Sequence, residues 1–204
     1  MFGIQRQVIA KHERGLYLKD RSIVKILEPG VHWIVDPLGR VQIDVYDISQ
    51  PAFVHPYEDV LIKEQSALCE KYFQRVELGE YQVGLVYKND KLASVLAPAS
   101  RQLYWKGPVE VRVEVQDIAT DFQIPRGLVR LIAYARAGEL ADAVRFAVYP
   151  VEVADKSVGL LFVDGELVKT LVPGLYAFWK YQRTIKVEQV DTRLQAMEVS
   201  GQEI

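Results

Sequence analysis

The chain has 204 residues, half of them apolar, which is enough to bury a sizeable core in one or two domains or in several small modules. Its 25 basic and 27 acidic residues give a net charge of -2, without the basic excess typical of nucleic-acid-binding proteins. The single cysteine cannot form an internal disulfide, which fits a reducing compartment, and no apolar run reaches the roughly 18 residues of a transmembrane helix.

One pattern of residues occurs three times along the chain. The three stretches are RGLYLKDRSIVKILEPG (14–30), VGLVYKNDKLASVLAPA (83–99) and VGLLFVDGELVKTLVPG (158–174). In each, a glycine precedes a proline by fourteen positions, and an aspartate follows that proline by 18 or 19 positions. This is internal triplication, and it predicts three copies of one structural module.

Within each repeat, the first element is a β-hairpin. Five and six residues after the glycine stand Asp20-Arg21, Asn89-Asp90 and Asp164-Gly165, between apolar stretches. Asn, Asp and Gly tolerate the positive φ that primed two-residue turns require. The repeated glycine opens a strand, where close backbone packing or a bulge is its expected role.

A second reversal follows at the proline, and then the last strand of the repeat. Pro-Gly is typical of a type II turn, so Ala99 in the middle copy predicts a different turn there. The last strand alternates apolar and polar residues, as in VEVRVEVQD (109–117), and the slip to Val190 in the third copy predicts a bulge. Each repeat therefore predicts a meander of about four antiparallel strands with one buried face.

Helical segments lie between the repeats. The apolar spacing predicts one helix over 58–72, a second starting near Pro125, and a short third over 139–146. The apolar stripes of these three helices are Leu61, Leu68 and Tyr72; Leu128, Ile132 and Ala135; and Leu140 and Val144.

The predicted fold class is α+β, mostly β, with three tandem antiparallel β-meander modules joined by short helices. The predicted modules span 1–78, 79–150 and 151–204, the first two with a helical connector. A module of roughly 70 residues is marginal alone, so we expect the modules to share buried surface.

The third copy continues into a motif that resembles the opening of the SPFH or band 7 domain, in its slipin/stomatin branch. The residues that carry the resemblance are Pro173-Gly174-Leu175, Trp179, the strand 185–187, Asp191-Thr192-Arg193 and Gln202-Glu203-Ile204. Two features depart from the family: the usual membrane-inserting segment is missing, and the family's domain would continue past Ile204. We therefore expect an N-terminal fragment, soluble by itself, of a longer protein.

The resemblance implies a bacterial, non-enzymatic scaffold that is peripheral to the cytoplasmic side of a membrane. Such a scaffold self-associates and organises proteins or lipids, and regulation of a membrane protease is a further role in the family. Two alternatives stay open: a soluble protein- or peptide-binding adaptor that uses exposed strand edges, and an enzyme with a pocket between modules.

The sequence assigns no catalytic, metal-binding or cofactor-binding residue. His12, His32 and His55 lack metal-ligand spacing, and neither a nucleophile elbow nor a phosphate-binding glycine loop is present. Buried packing is expected for Cys69, a strand-end turn or helix cap for the repeated aspartates, and a core position for Trp33, Trp105 and Trp179.

One group of residues near the end of the third repeat predicts a surface for membrane or partner contact. Aromatic rings beside cations suit an anionic membrane interface. The six candidate residues are Phe178, Trp179, Lys180, Tyr181, Arg183 and Lys186. Glu188 and Asp191 nearby dilute the positive charge, and an ordinary solvated loop is the alternative.

Overall fold

The computed structural model describes residues 3–193. Strands dominate, with short helices between them, which confirms the predicted α+β, mostly β class. The chain forms two compact units, residues 1–116 and 117–204. The strands nevertheless fall into three repeated sets. The module limits between residues 78 and 79 and between residues 150 and 151 stay predictions.

Three sets of five strands follow one another, and each set is called a module. Module 1 contains β1 (Ile4–Ile9), β2 (Glu13–Lys19), β3 (Ser22–Leu27), β4 (Gly30–Val35) and β5 (Val41–Asp47). After β6 (Ala52–Phe53), module 2 contains β7 (Phe73–Glu77), β8 (Gln82–Lys88), β9 (Lys91–Leu96), β10 (Arg101–Trp105) and β11 (Val111–Asp117). Module 3 contains β12 (Val148–Val153), β13 (Ser157–Val163), β14 (Glu166–Leu171), β15 (Gly174–Trp179) and β16 (Ile185–Asp191).

Each module is built from two small antiparallel sheets. The first strand pairs with the fourth, here called the front sheet, and the second strand lies between the third and fifth, here called the back sheet. This order differs from a consecutive meander, because the third and fourth strands belong to different sheets. The proline turn between them carries the chain from the back sheet to the front sheet.

The repeated glycine lies where the two sheets of a module approach each other. A Cβ on Gly159 would stand 2.9 Å from Val153 Cγ2 in the front sheet and 3.3 Å from Leu171 Cβ in the back sheet. Gly15 and Gly84 have the corresponding neighbours. A register shift also follows two residues after each glycine, so both predicted roles, close packing and a bulge, are confirmed.

The hairpin turns have the predicted geometry. Both central residues have positive φ in all three copies: 51° and 65° at Asp20-Arg21, 48° and 61° at Asn89-Asp90, and 51° and 89° at Asp164-Gly165. These left-handed pairs match the twist of the flanking strands.

The proline turn of the middle copy differs, as predicted. Ala99 has φ 55°, whereas Gly30 and Gly174 have φ 147° and 149°. Ile4, Phe73 and Val148 each lie eleven residues before the repeated glycine, and they pair with Val35, Trp105 and Trp179. Trp105 lies seven residues after its proline and Trp179 six, so the extra residue of the middle copy belongs to this turn.

The aspartate that ends each repeat makes a strand-end turn. The backbone N–H two residues later donates to its Oδ1: Ser49 to Asp47 at 2.9 Å, Ala119 to Asp117 at 2.8 Å and Arg193 to Asp191 at 2.9 Å. The predicted turn is confirmed, because these side chains satisfy a backbone donor as a strand ends.

The bulge predicted near Val190 is wrong. β16 pairs with β13 in continuous register from Ile185 to Asp191. The slip in apolar pattern arises because Gln189, although exposed, occupies the next position on the face of Ile185 and Val187, where its side chain bonds to the backbone of Glu152 (2.8 Å) and Ala154 (3.1 Å).

Helices cover the front sheets of modules 2 and 3. The predicted helix over 58–72 is two helices, α1 (Glu58–Glu64) and α2 (Ser66–Tyr72). They break at Gln65, which leaves helical geometry and donates its side-chain amide to the Ile23 carbonyl. In the second unit, α3 (Arg126–Ala133) follows Pro125, and α4 (Gly138–Val144) buries Leu140 and Val144, both close to prediction.

The core of the first unit joins modules 1 and 2. It combines the outer face of the module 1 back sheet with α1, α2 and the front sheet of module 2. Its buried members include Leu16, Leu18, Ile23 and Ile26; Phe53, Leu61, Ile62 and Tyr72; and Phe73, Leu103 and Trp105. The expectation that modules share buried surface is therefore confirmed for this pair.

Candidate interaction surface

The structure divides the six residues predicted for membrane or partner contact between core and surface. Phe178 and Trp179 are fully buried. Phe178 packs between the sheets of module 3 with Val153, Leu161 and Tyr176. These two rings therefore do not form an exposed aromatic surface, because β15 is covered on both faces.

The remaining four residues are at least partly exposed. Arg183 donates to the Ile118 carbonyl at 2.8 Å and stacks over the Phe122 ring at 4.6 Å, so its guanidinium holds the fold together. Lys186 pairs with Glu188 at 2.5 Å. Lys180 is exposed and the next residue, Tyr181, is partly exposed. The Tyr181 ring stacks on the buried Trp179 ring, with centroids 6.1 Å apart.

The three tryptophans do not share one environment, contrary to prediction. Trp105 is 2% exposed and packs against Phe73 with ring centroids 4.2 Å apart, whereas Trp33 is 68% exposed. The pairing explains the difference: Trp105 and Trp179 occupy the register position of Val35, two residues beyond Trp33. Trp33 is thus not a repeat of the other two.

The polar candidates have structural contacts. The Nε2 of His32 lies 2.7 Å from the Glu28 carbonyl, and the Nε2 of His55 lies 3.6 Å from Asp44 Oδ2. Burial raises the pKa of the Cys69 thiol, which favours the unreactive protonated form. Within residues 3–193, no three His, Cys, Asp or Glu side chains are placed to hold a metal ion.

An apolar face is exposed on the front sheet of module 1. In the register of β1 and β4, Ile4 lies opposite Val35, Arg6 opposite Trp33, and Val8 opposite Val31. Directly opposed residues share a face, so five apolar side chains and one arginine lie together. All six are exposed, with Val35 at 67%. This set, Ile4, Arg6, Val8, Val31, Trp33 and Val35, is called the module 1 outer face.

Half of the corresponding face is buried in module 2. The residues that match Ile4, Trp33 and Val35 are Phe73, Leu103 and Trp105. All three lie in the core under α1 and α2. In the second unit, the matching Val148, Ala177 and Trp179 are also buried, and α3 contacts both β12 and β15. The positions of Arg6 and Val8 are exposed in all three modules, so the difference between the modules is confined to the half of the face that carries Ile4, Trp33 and Val35.

The open edge of β4 is part of the same difference. In module 2, β6 pairs with the second edge of β10, and the Trp105 N–H donates to the Pro51 carbonyl at 2.7 Å. In module 3, the Trp179 N–H donates to the Phe122 carbonyl at 2.9 Å. Across residues 3–193, β4 pairs with β1 alone. Both the outer face and the second edge of this sheet are therefore available.

Sequence reasoning missed this surface, although a signal was present. Val31, Trp33 and Val35 alternate, and Ile4 and Val8 lie four residues apart. However, Ile9 and Ile34 on the opposite face are apolar too and are buried. Alternation alone therefore could not tell which face of the strand pair meets solvent.

Comparison with known proteins adds no relative. No family model, no curated protein and no solved structure matches the chain. Among the described residues, the helices are too short and too polar for any of them to cross a membrane.

Proposed function

We propose that this chain is a non-enzymatic scaffold, the repeated N-terminal region of a slipin-like band 7 protein. In this proposal the parent protein self-assembles at the cytoplasmic side of a membrane, organises proteins or lipids there, and regulates a membrane protease. One observation carries the scaffold part: the half of the front-sheet face that is buried under helices in modules 2 and 3 is exposed in module 1, at Ile4, Trp33 and Val35. Contiguous exposed apolar surface of this kind typically marks a site of protein contact.

The membrane part is supported by sequence resemblance and by one surface pair. The motif from Pro173 to Arg193 is similar to the opening of the band 7 domain, while Gln202-Glu203-Ile204 lie outside the described residues. Lys180 and Tyr181 are a basic and an aromatic residue adjacent in sequence and at least partly exposed, a combination suited to an anionic lipid surface. Peripheral attachment would then depend on weak electrostatic contacts that salt screens.

Vesicle flotation tests the membrane part. We expect the chain to float with phosphatidylcholine vesicles that contain phosphatidylserine, and to float less at high salt or without the anionic lipid. Lys180→Glu should reduce flotation, whereas Lys91→Glu, an equally simple charge reversal at an exposed lysine, should reduce it less. A chain that stays at the bottom of the gradient with every vesicle would refute membrane attachment.

A soluble adaptor is the second candidate, and the open edge of β4 favours it. An extended peptide could add to this edge as β6 adds to β10. Isothermal titration with an extended apolar peptide, followed by N-methylation of alternate peptide nitrogens, tests this function. Binding that survives methylation would exclude strand addition, because methylated nitrogens donate no backbone hydrogen bonds.

A further inference from the structure

We propose that copies of this chain associate head to tail, with the back sheet of module 3 in one copy packed against the module 1 outer face of the next. This inference rests on the proposed scaffold function and names its self-association surfaces. The occupant of the module 1 outer face is thus a second copy of the same chain.

The junction between modules 1 and 2 provides the precedent for this contact. There, the outer face of a back sheet and the outer face of a front sheet share one core with the connecting helices. The two sheets also meet directly, because the rings of Tyr46 and Trp105 lie 5.7 Å apart. A back-sheet face followed by a front-sheet face is therefore a combination that this fold already buries.

Module 3 presents the matching back-sheet face to solvent. Leu160 and Phe162 match Leu16 and Leu18, since each pair lies one and three residues after the repeated glycine. Leu16 and Leu18 are buried in module 1, whereas Leu160 and Phe162 are partly exposed. On this face Leu167 and Val190 are exposed, and Val158, Leu160 and Phe162 are partly exposed, beside Thr170 and the ion pair of Lys186 and Glu188.

One contact of the internal junction has a counterpart between the two free faces. Val190 lies one residue before the repeat aspartate, as Tyr46 does, and Val35 occupies the register position of Trp105. The contact that Tyr46 makes with Trp105 inside one chain would thus be made by Val190 and Val35 between two chains.

The proposed contact is heterologous, since two different faces meet. Heterologous contacts generate rings when the rotation closes and open chains when it does not. A copy that lacks either face can therefore end an assembly but cannot extend it, which gives a sharp test.

Sedimentation velocity of the full chain over a wide range of concentration provides this test. The unsubstituted chain should form species larger than a dimer as its concentration rises. Trp33→Asp, at a residue 68% exposed, and Leu167→Asp, at one 56% exposed, should each weaken self-association more than about tenfold while leaving the circular dichroism spectrum unchanged. An equimolar mixture of the two variants should form a 1:1 dimer and nothing larger, because only one complementary pair of faces remains.

Two control variants complete the test, and its outcomes distinguish failure of the head-to-tail contact from failure of membrane attachment. Val54→Asp and Phe146→Asp alter exposed apolar residues outside both faces and should associate as the unsubstituted chain does. The inference is overturned if the unsubstituted chain is monomeric at every concentration, if Leu167→Asp associates normally, or if the mixed variants do not dimerise. If the unsubstituted chain is monomeric and Trp33→Asp no longer floats with vesicles, the module 1 outer face is assigned to a membrane instead. Failure of flotation with intact head-to-tail assembly would refute only the membrane part of the proposed function.

Discussion

Replacing Gly159 by alanine should destabilise module 3, because the repeated glycine lies where two sheets meet. The added Cβ would stand 2.9 Å from Val153 Cγ2, 3.2 Å from Val187 Cγ1 and 3.3 Å from Leu171 Cβ. Carbon atoms normally pack at about 3.5–4.0 Å. These neighbours come from three strands, and Leu171 Cβ is attached to the backbone, so rotamer changes cannot relieve all three contacts.

The magnitude follows from two opposing effects. Overpacking in a filled core typically costs about 1–3 kcal/mol. Alanine also restricts the unfolded chain, which returns about 0.4–1 kcal/mol where no strain arises. We therefore expect Gly159→Ala to lower the free energy of unfolding by about 1.3 kcal/mol, the difference between the midpoints of these ranges, about 2 and about 0.7 kcal/mol.

Urea-induced unfolding, followed by circular dichroism and tryptophan fluorescence, measures this change. Gly127→Ala in α3 is the matched control, because nothing lies within 4 Å of the added Cβ. That control should gain about 0.5–1 kcal/mol, since alanine favours a helix. If Gly159→Ala were as stable as the control, the explanation of the repeated glycines by close approach of the sheets would be refuted.

Three further predictions concern the core, a turn and a strand end. Trp105→Ala should lower the free energy of unfolding, measured with heat or urea, by about 3–5 kcal/mol. Trp33→Ala, at an exposed ring, should lower it far less. Equal losses would contradict the difference in burial between the two rings. Gly165→Val should destabilise by roughly 1–3 kcal/mol because φ is 89° there, and Gly165→Asn should be tolerated; a stable valine variant would exclude the primed turn. The Ser49 hydroxyl and backbone N–H lower the pKa of Asp47, so its stabilising effect is present above the ordinary pKa of 3.8 and is lost as pH falls through the folded value. Asp47→Asn should therefore remove part of the fall in urea midpoint that the unsubstituted chain shows at low pH. A midpoint that falls with pH as much as before would contradict this role of Asp47.

The sequence by itself determined the local geometry of the repeat. Primed turns need residues that accept positive φ, a strand-end turn needs an acceptor such as Asp47, and a bulge beside a close sheet contact needs a residue like Gly159. Each requirement involves only a few neighbouring residues. For this reason it could be recognised three times over without knowledge of the fold.

Only the tertiary structure decided which faces are buried. Trp33, Phe178 and Trp179 all lie in apolar strands, yet Trp33 meets solvent and the other two do not. Phe178 faces the space between the two sheets of module 3. Trp179 is on the outer face, which helices cover in modules 2 and 3, while no such layer covers β1 and β4 among the described residues. Burial depends on packing between segments far apart in the chain, so the period of a strand cannot specify which of two apolar faces is covered.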